Sequence, residues 1–401
     1  MSTPRVLIAG AGIGGVTAAI ALCARGIHVN LYEAASEPAG GTGLGLGSNA
    51  TKVLRALGID LLGEGCGCAV EHLEFLTKRG KLMRALPIQA ITAELGNPVI
   101  CMHRGDLMRV LMNAAADTPI RFGTPIADFE TTDRGVIAIC ADGRTESADV
   151  LIGADGIQST IRTKIAGLAP PTDCGYVFWL ATVPFTHPCV RPGYAGHYWG
   201  KGQRFGLMDI GGGQVYWFGS RNIPVPQTRS RRIGKAEILA AFEDWAPEIT
   251  EVIEQTPQET IVTLPAQDRP FLEQWGRGPV SLLGDAAHPM QTSLAQGASS
   301  AVEDAYVLAE ALARIPDPVA ALRRYEDLRR ERARMLVRNS RRYSRLEQVQ
   351  NPVIRSARDL TVRYVPTGIL TRHTFAPMRF DLAGVLDEPP RVGWPCPAAE
   401  S

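Results

Sequence analysis

The sequence has almost no net charge and no long apolar run, and both absences limit what the protein can bind. Lys and Arg total 42 against 41 Asp and Glu, so no overall field favours nucleic acid or an anionic membrane surface. No stretch approaches the ~20 apolar residues of a membrane-spanning helix, and the early apolar run 16–24 lacks a basic leader. We therefore expect a cytoplasmic protein, monomeric or homodimeric, whose partner is a small molecule.

Cysteine is sparse as well. Of the eight cysteines in the chain, only Cys66 and Cys68 lie close together in sequence. A zinc site needs a second pair of ligands, and none follows at a suitable spacing. We expect reduced, mostly structural thiols and no metal site.

The chain does have length and apolar residues. Its 401 residues, 45% of them hydrophobic, suffice for a large core and suggest two lobes. An α/β pattern opens the chain, and an aromatic-rich alternating pattern occupies residues 174–264. The alternation indicates an antiparallel sheet inserted into the first lobe.

A glycine-rich loop lies between the first predicted strand (5–9) and the first predicted helix (16–24). Gly10, Gly12 and Gly15 form G-x-G-x-x-G, and the second strand (27–32) ends at Glu33. This context predicts a dinucleotide site, with the pyrophosphate over Gly12 and the ribose on Glu33. We expect Gly14 and Ala34 to contact the cofactor too. An acid at this position favours NAD or FAD over NADP; a glycine turn in an unrelated α/β protein is the alternative.

The stretch 281–312 joins a short buried strand to a helix through a small, polar loop. Gly284 lets backbone approach a ligand, and Asp285 offers a carboxylate to its hydroxyl groups. The apolar periodicity predicts a helix that begins near Gln296, Gly297 and Ala298. Its positive end would stabilise negative charge nearby. An ordinary strand, loop and helix is the alternative.

Three further segments carry candidate ligand contacts. Residues 40–49, which include Gly43, are expected to form a flexible loop beside the ligand. Arg104 is either a surface charge or a cofactor contact, and Asp106 is a plausible helix N-cap. Asp155 follows another buried strand and lies where α/β sheets bind ligands, although a capping turn would account for it equally.

The predicted domain boundaries follow from these patterns. We expect a Rossmann-like domain formed by residues 1–70, 98–172 and 265–318, and a mostly antiparallel substrate domain formed by 71–97 and 173–264. A C-terminal helical region (319–386) begins with a long Arg-rich helix. Acidic residues alternate with its arginines, which favours a solvated or lobe-bridging helix over a nucleic-acid surface. The Pro- and Ala-rich tail (387–401) is expected to be loosely ordered.

With these residues in view, the chain resembles the single-component FAD-dependent aromatic hydroxylases with the para-hydroxybenzoate hydroxylase fold. Gly10, Gly12, Gly15 and Glu33 match that family's FAD fingerprint, and Arg104 its flavin-contacting arginine. The segment from Asp155 to Arg162 matches its second motif, and Gly284 with Asp285 its third. Ala295 to Ser299 lie where its helix start meets the flavin ring. The resemblance covers nearly the whole length of the chain.

The resemblance implies a monooxygenase with non-covalent FAD, which uses NADH or NADPH and O2 to hydroxylate or epoxidise a small aromatic or unsaturated substrate. A flavin dehydrogenase, reductase or halogenase is one alternative; the chain lacks W-x-W-x-I-P, a redox-active C-x4-C and a second full dinucleotide fingerprint. A non-catalytic flavin-binding protein is another.

Two positions depart from the resembled family: Ser48 and Thr292 each replace a proline. Thr292 would add a hydroxyl near the reactive edge of the flavin, and Arg204, if it faces inward, would favour an anionic or strongly polar substrate. We single out these two as catalytic candidates. His288 is expected to have a structural role rather than act as a base. Four side chains could line the pocket or belong to the core: Tyr198, Met208, Trp217 and Phe218.

Overall fold

A parallel sheet forms the centre of the first lobe. A computed structural model of the chain describes residues 3–38, 40–224, 234–384 and 386. The strands of this sheet, in spatial order, are β18 (Val280–Leu282), β12 (Val150–Gly153), β1 (Arg5–Ala9), β2 (His28–Tyr32) and β8 (Ile120–Arg121). All four neighbouring pairs are parallel, and nearly every residue of the three central strands is buried. Burial on both faces explains why these strands read as continuous apolar runs.

Helices cover this sheet and extend to the end of the described chain. Numbered along the sequence they are α1 (Ile13–Cys23), α2 (Ser48–Ala56), α3 (Ile88–Leu95), α4 (Arg104–Ala114), α5 (Thr160–Ala166), α6 (Lys235–Ala241), α7 (Pro247–Gln255), α8 (Gly297–Arg314), α9 (Pro318–Glu347), α10 (Pro352–Tyr364) and α11 (Thr367–Phe375). None of the described helices is long and apolar enough to cross a bilayer.

A larger, mostly antiparallel sheet forms the second lobe, as predicted. Its order is β17 (Val262–Asp268), β13 (Thr172–Pro184), β16 (Gln214–Asn222), β15 (Gln203–Gly211), β14 (Tyr194–Trp199), β5 (His72–Thr77) and β6 (Leu82–Leu86). Only the β14–β5 pair is parallel. Strands β13 and β17 run past residues 172 and 265, where the predicted boundaries lie, and the division into domains stays a prediction.

The two faces of this sheet pack against different partners. Tyr198 and Trp217 belong to the outer face, which is covered by α6 and α7, so these two residues are core and not pocket lining. Met208 and Phe218 belong to the inner face, which is turned toward the first lobe and the C-terminal helices. Alternation along β14, β15 and β16 therefore assigns each aromatic side chain to a structural or a ligand-facing layer.

Two smaller sheets complete the fold. One contains β3 (Gly43–Leu46), β7 (Ile100–His103) and β4 (Cys68–Ala69); the other contains β9 (Ile126–Thr132), β10 (Gly135–Cys140) and β11 (Thr145–Ala148). The prediction of a flexible loop over residues 40–49 is thus wrong. β3 is fixed by its pairing with β7 and by close packing, since a Cβ on Gly43 would lie 2.1 Å from the Tyr216 ring.

The predicted start of α4 is also wrong. The helix begins at Arg104 and not after Asp106, and its N-cap is His103, whose Nδ1 accepts a hydrogen bond from the Gly105 amide at 3.1 Å. A histidine cap is uncommon, so the usual preference for Asp misplaced the boundary by one turn. Asp106 instead supplies the negative charge that the first turn of a helix favours.

Helix α9 joins the two lobes, which is one of the two roles predicted for it. Arg341 donates to Asp268 Oδ2 of β17 at 2.6 Å, and Ser344 Oγ lies 2.8 Å from the Tyr176 hydroxyl of β13. The predicted loose tail (387–401), with Cys396, lies outside the described residues. The seven cysteines within them are free thiols.

A buried charge network fixes α9 to α8. Asp304 receives Arg329 Nε at 2.6 Å, the Gly284 amide at 3.0 Å and His288 Nε2 at 2.6 Å. Arg329 also pairs with Glu303 at 2.7 Å, and Arg332 donates Nε to the same carboxylate at 2.6 Å. The positive charges and hydrogen bonds lower the pKa of Asp304 to about 2, against the opposing effect of burial. This role of His288 agrees with the structural one expected.

The network predicts a large difference between two neighbouring arginines of α9. Arg329→Met would leave two buried carboxylates short of a partner and should lower the free energy of unfolding by about 3–5 kcal/mol. Arg330 is partly exposed: it pairs with the exposed Asp327 at 3.1 Å and lies 4.0 Å from the buried Glu326, which also pairs with Arg323. Arg330→Met should therefore cost under about 1 kcal/mol. Urea unfolding of both variants measures the difference, and equal losses would contradict the role assigned to Arg329.

Candidate active site

The glycine-rich loop is shaped by contacts at two of its glycines and leaves space at a third. Gly10 has φ +105°, and a Cβ there would lie 2.4 Å from the Ala154 carbonyl oxygen. A Cβ on Gly15 would lie 1.9 Å from the Gly10 carbonyl oxygen. A Cβ on Gly12 would meet nothing within 4 Å. The space above Gly12, at the start of α1, therefore fits a pyrophosphate.

Gly14 has a packing role in this loop. A Cβ there would lie 2.7 Å from Leu283 Cδ2 and 3.1 Å from the Ala301 Cβ. The absence of a side chain lets α1 lie directly against α8 and the end of β18. Gly14 thus brings the loop that fits a pyrophosphate next to the loop that carries Asp285.

Glu33 lies at the end of β2 and closes the same site. Its Oε2 accepts from the Ala11 amide at 2.7 Å, and its Oε1 accepts from the Ala35 amide at 2.8 Å. Each oxygen keeps a further lone pair, so the carboxylate can also accept from ribose hydroxyls. Ala34 is exposed beside it.

Asp285 lies deep in the molecule and still has an exposed side chain. Burial raises its pKa, while the positive charges of His288 and Arg104 oppose the rise. No described residue forms a hydrogen bond with its carboxylate. A charged group that is surrounded by protein and yet accessible indicates an internal cleft, and its free acceptors fit a polyhydroxyl chain.

Arg104 lies close enough to Asp285 for the charge of each residue to shift the pKa of the other. Its Nη1 donates to the Gly40 carbonyl at 3.1 Å, and burial lowers its pKa while the charge of Asp285 raises it. The two residues are 181 positions apart in sequence. Gly43 was also expected to contact the cofactor. It packs against Tyr216 instead, whose ring fills the space where a side chain of residue 43 would lie.

The start of α8 is open at its amide end. Gln296 occupies the N-cap position without a capping side-chain bond, and Gly297 and Ala298 are half-buried. Ala295 has φ +50° and is the only non-glycine residue in the described ranges with a positive φ. Such a backbone costs ~1 kcal/mol or more and concentrates at functional sites. Free amides at a helix N-terminus fit the electron-rich edge of a flavin.

Gln296 itself is buried and only partly satisfied. Its Oε1 accepts from Asn49 Nδ2 at 2.9 Å, and Asn49 Nδ2 also donates to Glu303 Oε1 at 2.6 Å. Gln296 Nε2 is buried with no partner among the described residues. The helix start is thus tied to the buried charge network, with one donor left for a ligand.

Asp155 has the capping role that was the alternative to ligand contact. Its carboxylate accepts from Ser159 Oγ at 2.5 Å and from the Thr160 amide at 2.8 Å, at the start of α5. Arg162, one turn later, donates to the Ala286 and Ala287 carbonyls at 3.0 and 2.9 Å. The segment from Asp155 to Arg162 therefore holds the loop that carries Asp285 through the hydrogen bonds of Arg162. A direct contact of Asp155 with a cofactor stays a prediction.

Thr292 and Arg204, the two catalytic candidates, are in contact although they are 88 positions apart in sequence. Arg204 faces inward, is buried, and donates from Nη2 to Thr292 Oγ1 at 3.3 Å. Its Nη1 lies 2.7 Å from Glu347 Oε1, and its guanidinium lies over the Phe178 and Phe218 rings. A cavity of about 710 Å³ lies beside Gln291, the residue that precedes Thr292, and Tyr176 also lines it.

Sequence reasoning missed Glu347 and Asn49 as members of the site. Glu347 ends a 30-residue helix and is 143 positions from Arg204, so no local pattern connects them. A better signal existed for the acidic pair Glu303 and Asp304. Two adjacent acids on an otherwise apolar helix indicate buried partners.

Comparison with known proteins accounts for this arrangement. A family described as FAD binding domain matches residues 3–340. The chain belongs to this family. The predicted FAD cofactor is thereby confirmed, and Gly12, Glu33, Asp285 and the start of α8 fit the group from its phosphates to its ring.

Several FAD-dependent monooxygenases are similar to the chain. Aurachin C monooxygenase/isomerase of Stigmatella aurantiaca is 35% identical, over 94% of this chain and 98% of that protein. FAD-dependent urate hydroxylase of Klebsiella pneumoniae is 30% identical, over 84% and 89%. The structure of Klebsiella pneumoniae HpxO with FAD and uric acid superposes with TM-score 0.88 at 27% identity, covering 93% of this chain and 96% of that one. These relatives confirm the resemblance drawn from the motifs.

The site predicts that Asp285 contributes to FAD affinity. Asp285→Ala removes a charged acceptor for a ribityl hydroxyl, which typically costs ~1.5–3 kcal/mol and should weaken FAD binding about 10- to 100-fold. Asp106→Ala, on the exposed first turn of α4, serves as control and should bind FAD as the wild type does. Fluorescence titration of the apoprotein with FAD measures both; equal affinities for wild type and Asp285→Ala would rule out the contact.

Proposed function

We propose that this chain uses NADH or NADPH, FAD and O2 to insert one oxygen atom into a small, neutral aromatic or unsaturated ring compound. The observation that carries the proposal is the contact between Arg204 and Thr292. It places two polar side chains among aromatic rings, beside the start of α8. The FAD-dependent monooxygenases among the relatives support oxygen transfer over simple dehydrogenation.

Bound FAD supplies the redox chemistry and the activation of oxygen. The residues of the chain bind and orient it: the amides near Gly12 bind the phosphates, Glu33 the ribose, and Asp285 the ribityl chain. The free amides at the start of α8 stabilise negative charge on the ring. The inner face of the seven-stranded sheet covers the reacting end and excludes water.

The pairing of Arg204 changes the expected substrate. An unpaired inward arginine would favour an anion, but Glu347 lies 2.7 Å from Arg204 and is itself buried. Burial raises the pKa of Glu347, and the charge of Arg204 opposes that rise. An anion would have to compete with Glu347 for Arg204. We therefore propose a neutral ring with a polar edge, held by Thr292.

The reaction is tested by a direct search for the product. Purified protein loaded with FAD is incubated with NADH or NADPH and a panel of phenols, quinolones, pyridinols and indoles, and products are examined by mass spectrometry. One added oxygen that derives from ¹⁸O2 supports the proposal. Oxidation of NAD(P)H with no oxygenated product from any compound would favour a reductase, and a protein without flavin would favour a non-catalytic role.

The single full dinucleotide fingerprint predicts gated reduction. FAD occupies that fingerprint, so NAD(P)H has only a transient site, and hydride transfer should accelerate when an aromatic compound fills the pocket. Stopped-flow measurement of flavin reduction with and without an active compound checks this. If flavin reduction has the same rate with and without every compound that is turned over, reduction is not gated by the substrate.

Thr292 is predicted to hold the substrate against the reactive edge of the cofactor. Thr292→Val keeps the shape but removes the hydroxyl, so substrate is positioned less firmly, and ~1 Å of misplacement can cost ~100-fold in rate. We expect more hydrogen peroxide per NAD(P)H consumed, with FAD affinity unchanged. Thr361→Val, the same substitution at an exposed position of α10 where the hydroxyl donates only to the Ala357 carbonyl, is the control. Unchanged coupling and turnover in Thr292→Val would make Thr292 a packing residue.

A further inference from the structure

A histidine lies at the centre of the inner face of the seven-stranded sheet. Strand pairing aligns Phe75 of β5, His197 of β14, Gly206 of β15 and Phe218 of β16 in one row. The His197 ring stacks on Phe75 at 5.7 Å and 25°, and lies 6.1 Å from the Phe218 ring. A Cβ on Gly206 would lie 2.2 Å from the Phe218 ring, so this glycine lets Phe218 close over the row. The sheet thus holds the imidazole in one orientation.

The imidazole is held by ring contacts alone. No described residue forms a hydrogen bond or an ion pair with either ring nitrogen, and neither nitrogen is among the buried atoms that lack a partner. His197 keeps intermediate exposure although it lies deep in the molecule. Asp285 shares these features, since it too lies deep in the molecule, is accessible and has no hydrogen bond to a described residue. Together they indicate that the His197 ring borders an internal space.

The electrostatic surroundings keep this ring neutral. Burial lowers the pKa of His197 to about 4, and the charge of Arg204 acts in the same direction. Within the described part of the chain, Arg204 on β15 is the only charged group that shifts this pKa; Phe75 on β5 and Phe218 on β16 carry no charge. At neutral pH His197 therefore offers one unprotonated nitrogen, which is an acceptor and a base.

We propose that His197 is a catalytic residue that accepts a hydrogen bond from a ring O–H or N–H of the substrate and takes that proton as the ring gains its oxygen atom. This inference rests on the proposed function. It assigns the substrate a class: hydroxylated aromatic rings or N–H heterocycles, bound with the donor toward His197.

A weak base suffices for this step because the acidity of the proton changes during the reaction. NAD(P)H supplies two electrons, and the oxygen atom from O2 is transferred as its oxygen–oxygen bond breaks; the electron pair of that bond leaves with the other oxygen atom, which ends as water. The new carbon–oxygen bond forms with an electron pair of the ring, so the ring becomes electron-poor and its O–H or N–H bond breaks. The electron pair of that bond remains with the substrate and moves into the ring system. The proton forms an N–H bond on the imidazole, which becomes imidazolium and later releases the proton to water.

Substrate binding gives a test that needs no turnover. 4-Hydroxyquinoline carries a donor that 4-methoxyquinoline lacks, so the FAD-loaded wild type should prefer the former by about 3- to 10-fold. His197→Phe keeps the stacked ring and should abolish this preference. His197→Gln, which retains an acceptor, should keep most of it. His72→Phe, on the opposite face of the same sheet, is the control, and calorimetry without NAD(P)H measures all four proteins.

Turnover then separates an acceptor from a base. With the hydroxylated panel compound of highest wild-type turnover, kcat should fall about 100-fold in both His197 variants, because neither Phe nor Gln can take a proton. FAD content should stay unchanged in both variants, and the control His72→Phe should keep wild-type kcat and wild-type substrate-free NAD(P)H oxidation. Wild-type kcat in His197→Gln would overturn the proton transfer, and an intact binding preference in His197→Phe would overturn the contact. A wild type that oxygenates no panel compound would instead overturn the proposed function.

Discussion

The buried carboxylate of Asp304 is the interaction on which the site depends. It receives Arg329 of α9, His288 and the Gly284 amide, so one side chain fixes the bridging helix and the loop that carries Asp285 to helix α8. A buried charge group of this kind adds little net stability over an apolar core, but it cannot rearrange without leaving a charge unpaired. We infer that its main effect is to fix the position of α8 relative to the Asp285 loop.

A second constraint is the division of labour between the two faces of the seven-stranded sheet. The outer face is filled by large side chains under α6 and α7, whereas the inner face carries His197 and Arg204 among aromatic rings. The rigidity of the outer face lets the inner face keep two polar groups in fixed orientations. Glycines at positions 43 and 206 allow the aromatic rings to close around them.

Much of the first lobe could be predicted because its signals are local. The loop from Gly10 to Gly15 needs glycine for reasons that operate within a few residues, and the strands on either side are continuous apolar runs. The start of α8 and the position of Asp285 in the loop before it followed from a strand, loop and helix in sequence order. The errors came where partners are distant. β3 is ordered by β7 and Tyr216, and α4 is capped by a histidine that composition does not single out.

The sequence by itself determined the family, the FAD cofactor and the alternation that makes the second lobe a sheet, because each depends on residue types at fixed short spacings. Tertiary structure alone decided which way Arg204 faces, that Glu347 balances its charge and Thr292 contacts it, and that His197 lies on the inner face of the sheet with no hydrogen bond to any described residue. These are properties of strand register and of contacts across more than 80 residues of chain. The physical reason is that burial and pairing set the charge of a side chain, and both are fixed only when the lobes are packed together.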